Sequence, residues 1–278
     1  MSSETASFSI ELIVPRSSAP RVRAALFDFD GTLSLVREGW QNVMVPYFCE
    51  VLSAVADPAK ESPEAIETLV RDFIDKITGK QTIYQCIRLA EEVSARGGQP
   101  LEPLEYKKEY LRRLQLRIQN RVDMLASGKA QPDDFVVPGA RAFLQRLRNA
   151  GISLYLASGT DECYVKQEAE LLQLTSFFDG GIYGAQDDYK TFSKALVIER
   201  LIKVNNLDGA ELVGFGDGYV EIENVRAVGG YAVGVATNES NPGGGVDAWK
   251  RSRLLDAGAN AIIPDFSDPE AVAKLIQL

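Results

Sequence analysis

The residues of this 278-residue chain best suited to chemistry are Asp28 and Asp30, two carboxylates one residue apart. They close an apolar run, Ala24-Ala25-Leu26-Phe27, and are followed by Gly31-Thr32. Such a run reads as a central, buried strand, and alternate residues leaving a strand fall on one side of it. Two carboxylates beside an apolar strand are costly unless a cation or hydrogen bonds compensate. A carboxylate can attack phosphorus and so split one hard displacement into two easier ones. A second carboxylate two residues on can reach the leaving-group oxygen, protonate it, and then activate water. Asp28 is therefore the candidate nucleophile and Asp30 the candidate acid and base.

Composition narrows the alternatives. The chain contains no histidine, so Ser-His and Cys-His catalysis are excluded, and acid-base work falls to carboxylates, lysine or tyrosine. Cys49, Cys86 and Cys163 are scattered, which argues against a disulfide framework and against zinc. The net charge of −9 argues against nucleic acid or an anionic membrane as the main partner. No apolar run approaches the roughly 20 residues needed to span a bilayer, and the N-terminus lacks the features of a signal peptide. Cytoplasmic residence is the expectation.

The elements that must position the carboxylates follow from the pattern. Phe8 to Pro15 is a weak strand candidate, halted by Pro15 and the linker Ser17-Ser18-Ala19-Pro20. From residue 34 to about 136 strand signals almost vanish. Trp40 to Val55 reads as helix, with Pro46 as a kink or break. Ile66, Leu69, Val70, Phe73, Ile74 and Ile77 recur at helical spacing after Pro63-Glu64. Thr82 to Arg96 and Leu104 to Leu125 are two more helices. From Pro138 helices and strands alternate: strands at 152–157, 181–184, 211–215, 231–236 and 261–263, separated by helices, with Ser158-Gly159-Thr160 as a turn and a helix from Asp161. That alternation implies an α/β fold with a doubly wound, mostly parallel sheet, whose ligands bind outside the carboxyl ends of the strands.

Further polar residues sit at those ends. The Ser158 hydroxyl and the Gly159 amide, at a helix N-terminus, can hold a phosphoryl oxygen; a plain turn or N-cap serine is the alternative. Lys194 opens a helix, where a fixed ammonium would stabilise a transferring phosphoryl group and the Asp28 carboxylate; Lys190 is its competitor. In Gly214-Phe215-Gly216-Asp217-Gly218-Tyr219-Val220-Glu221, Asp217 ends a strand beside Asp28, and such hard oxygen ligands suit Mg²⁺. Glu221 is placed to bind a metal water or to anchor the lysine, while Glu223 reads as an ordinary first-turn acid.

Asp28-Phe29-Asp30-Gly31-Thr32, then Ser158, Lys194 and the Gly216-Asp217 stretch, resemble in order the four motifs of the haloacid dehalogenase superfamily. The resemblance implies a magnesium-dependent phosphotransferase core in which Asp28, Asp30 and Asp217 hold the metal, Asp30 through its main-chain carbonyl, with Glu221 in place of the more common aspartate. An acid at position 30 favours phosphate esters over dehalogenation or phosphonate cleavage. An insertion between the first two motifs matches the family's helical cap, which covers the site and selects substrate. The expected organisation is an N-terminal extension (1–20), an α/β core (21–33 and 137–278) and a helical cap (34–136). Within the cap, Gly79-Lys80-Gln81-Thr82 is a loop that could dip into the site, with Lys80 and Gln81 as substrate contacts or else a solvated turn. Arg37, Glu38 and Trp40 follow the first motif closely and could line the entrance, with cap core as the alternative for Trp40. The expected activity is hydrolysis of a small phosphorylated metabolite, such as a sugar phosphate. A sugar phosphomutase and a non-catalytic phosphometabolite sensor are the alternatives.

Overall fold

β2 (Ala24–Phe27) is buried at every residue and forms the axis of the molecule. The computed structural model describes residues 8–16, 20–186 and 188–278. β2 pairs in parallel on both sides, with β3 (Ser153–Asp161) and with β5 (Leu212–Gly216), so that Phe27 lies opposite Leu156 and Phe215. With β1 (Glu11–Leu12), β4 (Gly181–Ala185), β6 (Tyr231–Val235) and β7 (Ala261–Ile263), these make a seven-stranded sheet of order β1-β7-β6-β5-β2-β3-β4. β1 alone is antiparallel to its neighbour. It is the weak N-terminal strand of the sequence reading, reduced to two residues on the sheet edge. The linker residues Ser17, Ser18 and Ala19 lie outside the described residues.

Period-2 alternation assigns the two faces of β2. Ala25 and Phe27 join one apolar cluster, while Ala24 and Leu26 join the other. On the first face Phe27 stacks on Phe215 at 4.8 Å, and Phe143 and Phe266 close around the pair. The helices of the sheet layers are α5 (Ala140–Asn149), α6 (Glu162–Leu171), α7 (Lys194–Asn205), α8 (Tyr219–Ala227), α9 (Ala248–Asp256) and α10 (Pro269–Leu275).

Between β2 and β3 the chain forms α1 (Gln41–Ser53), α2 (Pro63–Ile77), α3 (Ile83–Ala95) and α4 (Pro103–Ala126). Ser62 caps α2 by accepting the Ala65 amide at 3.2 Å, and Ile66, Val70, Phe73 and Ile74 form its buried face. α1 runs through Pro46, so of the kink or break expected there the break does not occur: the missing backbone donor is offset by the burial of Met44, Val45, Tyr47, Phe48 and Leu52. One expectation needs correction. Ser158-Gly159-Thr160 is not a turn, because β3 continues to Asp161. The apolar pattern ends at Ala157, but backbone pairing does not depend on it: after an irregularity β3 re-pairs at Asp161 with Ala185. Gly159 therefore lies in the strand, and α6 begins only at Glu162. Among the described residues no helix is long and apolar enough to cross a membrane.

Candidate active site

β2 and β5 end side by side, which carries Asp28 and Asp217 to one rim of the sheet. The Asp28 amide donates to the Phe215 carbonyl at 2.9 Å, extending the pairing one residue beyond the strand. The chain then curls: the Phe29 carbonyl accepts the amides of Thr32, Leu33 and Ser34, and the Phe29 ring is fully buried. Asp28 and Asp30 consequently face one cavity.

Lys194, the first residue of α7, reaches back to this rim. Ser193 caps the helix through the Leu196 amide, and the Lys194 ammonium lies 2.9 Å from Asp28 Oδ1 and in direct contact with Glu221 Oε1. All three side chains are buried. Lys190, the competitor, is exposed and lies over the Tyr189 ring. Burial pushes the Asp28 carboxyl up to about 6; Lys194 opposes the shift, and Asp217 and Asp30 add to it.

Asp30 is oriented from β3. Its Oδ2 accepts the Thr160 hydroxyl at 2.8 Å and the Ser158 hydroxyl at 3.4 Å, leaving the buried Oδ1 without a hydrogen bond. Ser158 Oγ also accepts the Thr160 amide at 3.0 Å. Arg37 Nε stands 3.9 Å from Asp30 Oδ1, but its guanidinium grips the Glu168 carboxylate at 2.6 to 3.1 Å. Burial disfavours the Arg37 charge; Glu168 and Asp30 more than offset this and raise its pKa. Glu38 pairs with Arg121 at 2.6 Å instead of with the site.

Asp217 Oδ2 lies 2.7 Å from Lys250 Nζ, which also reaches Glu239 Oε1 at 2.6 Å. Six carboxylates (Asp28, Asp30, Glu168, Asp217, Glu221 and Glu239) thus meet three cations, Lys194, Lys250 and Arg37, so carboxylates outnumber cations by three. That excess suits a divalent cation. Among the described residues no three His, Cys, Asp or Glu side chains form a ready metal cage. Mg²⁺ binds through one or two carboxylates and retained waters and needs no such cage. Asp28 and Asp217 are the side chains positioned for it. The Asp30 carboxylate meets the Thr160 and Ser158 hydroxyls through Oδ2, and Glu221 is held on Lys194.

The helical insertion supplies the roof. The cavity, about 100 Å³, joins Asp28, Asp30, Ser158, Lys194 and Asp217 to Arg37, Trp40, Met44, Lys80, Gln85 and Tyr110. The 79–82 loop does reach the core: a Cβ on Gly159 would meet the Lys80 carbonyl at 2.6 Å, so only glycine admits this approach. The Lys80 side chain is exposed and lies above the Tyr84 ring at 6.0 Å from its centre. Gln81 does not line the cavity; its amide nitrogen donates to the Tyr189 and Phe192 carbonyls at 3.0 and 2.8 Å, fastening the loop to the core. Gln85 Oε1 is buried without a partner. Burial raises the Tyr110 phenol, which keeps its hydroxyl protonated. The sequence reading missed Thr160, Gln85, Tyr110, Glu239 and Lys250. Thr160, two residues after Ser158 on a strand, carried the one usable signal.

A family model for haloacid dehalogenase-like hydrolases matches residues 22–229. None of the curated proteins matches in sequence. Among solved structures, the chain is similar to a beta-phosphoglucomutase from Clostridium difficile, at 14% identity and a TM-score of 0.59, over 92% of this chain and 97% of that one. It is also similar to a predicted phosphatase from Clostridium acetobutylicum, at 20% identity and a TM-score of 0.57, over 93% of this chain and 100% of that one. A HAD hydrolase of family IA, variant 3, from Entamoeba histolytica aligns at 17% identity and a TM-score of 0.57, over 92% of this chain and 100% of that one. At these identities the structural likeness is one of fold. The four motifs, in order from Asp28 to Asp217, and the match that spans them lead to one conclusion: the chain belongs to the haloacid dehalogenase-like hydrolases.

Proposed function

We propose that this hydrolase is a Mg²⁺-dependent phosphatase of a small phosphomonoester, working through a phosphorylated Asp28. The observation that carries the reading is the buried contact of Lys194 with Asp28, backed by Glu221, at the floor of a cavity shared with Asp30. An Asp28 carboxylate oxygen attacks phosphorus, and the bond from phosphorus to the leaving oxygen breaks. Asp30, held through Oδ2, gives a proton from Oδ1 to that oxygen. Asp30 then takes a proton from water; the water oxygen attacks phosphorus, and the bond to Asp28 breaks, releasing phosphate. The Ser158 hydroxyl, the Gly159 amide and Lys194 bind the phosphoryl oxygens and offset the charge that builds there. Asp28, Asp217 and the Asp30 main chain would hold Mg²⁺, which would supply charge neutralisation for the phosphoryl group.

Residues 34–136 act as a cap on a core made of residues 21–33 and 137–278. The enclosed volume accommodates a phosphoryl group with only a short organic portion. Gln85 Oε1 needs a donor, and Tyr110 offers one, so the organic portion carries hydroxyl groups, as a sugar or polyol phosphate does. A panel of phosphorylated sugars, polyols, glycolate and nucleotides with Mg²⁺ tests this reading. In ¹⁸O-labelled water each turnover should place one label in free phosphate. An isomeric sugar phosphate as the main product, with little free phosphate, would make the enzyme a mutase and overturn it.

A further inference from the structure

The strongest unexplained group in the molecule is Lys250. It is 7% exposed, on the first turn of α9, where Asp247 fixes its backbone by accepting the Lys250 amide at 2.9 Å. Its ammonium meets Asp217 Oδ2 at 2.7 Å and Glu239 Oε1 at 2.6 Å. A Cβ on Gly31 would lie 2.8 Å from Nζ, so the ammonium presses against the turn that follows Asp28 and Asp30. It does not line the substrate cavity. Lys194 already serves the phosphoryl side, and the mechanism above makes no use of a second lysine. As a mere tie between α9 and the end of β5 it would be poorly chosen, since apolar packing does that as well without two desolvated charges.

We infer that Lys250 is a built-in counter-cation that holds one oxygen of Asp217 and thereby weakens the site's hold on the divalent ion, with Glu239 drawing the ammonium partly away. The inference rests on the reading that Asp28 and Asp217 hold Mg²⁺. Two cations sharing one carboxylate repel each other, and the effect is large at this separation away from bulk water. Lys250 and Glu239 carry opposite charges, so removing one or the other must shift Mg²⁺ affinity in opposite directions. A structural tie makes a different demand: losing either partner loosens Asp217, and both changes weaken binding. Lys250 is on this account a positioning residue for Asp217 and touches no reacting atom.

Calorimetric titration of the full chain with Mg²⁺ alone reads the affinity without turnover. Glu239→Gln keeps the side-chain shape and should weaken Mg²⁺ binding by ~10-fold, because the full ammonium charge then falls on Asp217. The double variant Lys250→Met, Glu239→Gln removes the buried pair together and should tighten binding by ~10-fold relative to wild type. Weaker binding in both, or no change beyond twofold in either, overturns the inference. Should the double variant fail to fold, Glu239→Gln decides by its sign: tighter or unchanged binding sinks the proposal. A wild-type protein that binds no Mg²⁺ at all would overturn the metal site itself, an outcome distinct from immobile affinities in the variants.

Discussion

Asp28 is held where its charge is both needed and costly. Burial raises its carboxyl from 3.8 to about 6, with Lys194 opposing and Asp217 adding. A carboxyl whose folded pKa exceeds its unfolded value binds more protons in the folded state between the two values. Stability of the metal-free protein therefore rises as pH falls through about 6 towards 3.8. Asp28→Asn removes this penalty and should stabilise the metal-free protein at pH 7 by about 2–3 kcal/mol, the equivalent of the shift, with the advantage shrinking towards pH 4. Urea unfolding in EDTA at several pH values measures it; an asparagine variant less stable than wild type at pH 7 would contradict the electrostatics described. The neighbouring carboxylate makes a kinetic prediction. Asp30→Asn should still bind substrate but lower kcat by ~10²–10⁴-fold, and a change within twofold would remove Asp30 from acid-base work. These two residues were legible in the sequence because charged groups at the end of an apolar strand violate its pattern. Lys250, Glu239, Gln85 and Tyr110 were not, since each sits in an ordinary helix or loop and gains its role only from what the fold brings against it.

At the level of elements, the strand ends and the 79–82 loop define the site together. The alternation of strand and helix after Pro138 announced the sheet and its carboxyl rim, and helical spacing announced α2, α3 and α4. What the pattern did not announce was the continuation of β3 through Ser158, Gly159 and Thr160. Hydrophobicity reports burial of side chains, whereas that segment is the irregularity between the pairings of Ala157 and Asp161, and the Ser158 and Thr160 hydroxyls contact Asp30. Likewise the loop's approach to Gly159 depends on the absence of a side chain, which leaves no hydrophobic signal. Gly159→Ala places a methyl group against the Lys80 carbonyl, so the 79–82 loop and β3 must move apart. The variant should keep its thermal stability within a few degrees while kcat/KM drops by ~10²-fold through displacement of the loop. Unchanged kinetics would show that the loop's position over Gly159 does not matter to turnover.

Across the whole molecule, several buried or half-buried contacts tie the helical insertion and its leading segment to the sheet layers. Gln81 holds the carbonyls of Tyr189 and Phe192, Lys107 on α4 pairs with Asp161 at the end of β3, and Arg37 pairs with Glu168 on α6. They fasten the insertion beside a cleft of about 100 Å³ over the carboxylates. A substrate must enter when these contacts open and fit when they close. The enzyme should accordingly hydrolyse small phosphomonoesters and leave phosphoserine peptides untouched. Steady-state assays on both classes check this, and comparable kcat/KM values for a phosphopeptide and a sugar phosphate would contradict an enclosed site. The sequence showed the insertion as roughly a hundred residues of helix pattern, but the three ties join residues far apart in the chain, and no local spacing foretells them.

The central claim is that phosphorus is bonded to Asp28 during turnover. Its most direct test is a rapid acid quench of the Asp30→Asn variant with substrate and Mg²⁺, followed by peptide mass mapping. Slowing water activation more than phosphoryl transfer should let the intermediate accumulate, and the peptide containing Asp28 should gain the mass of one phosphoryl group at that residue. Phosphate on another side chain, or continued phosphate release with no modified peptide at any quench time, would contradict the account.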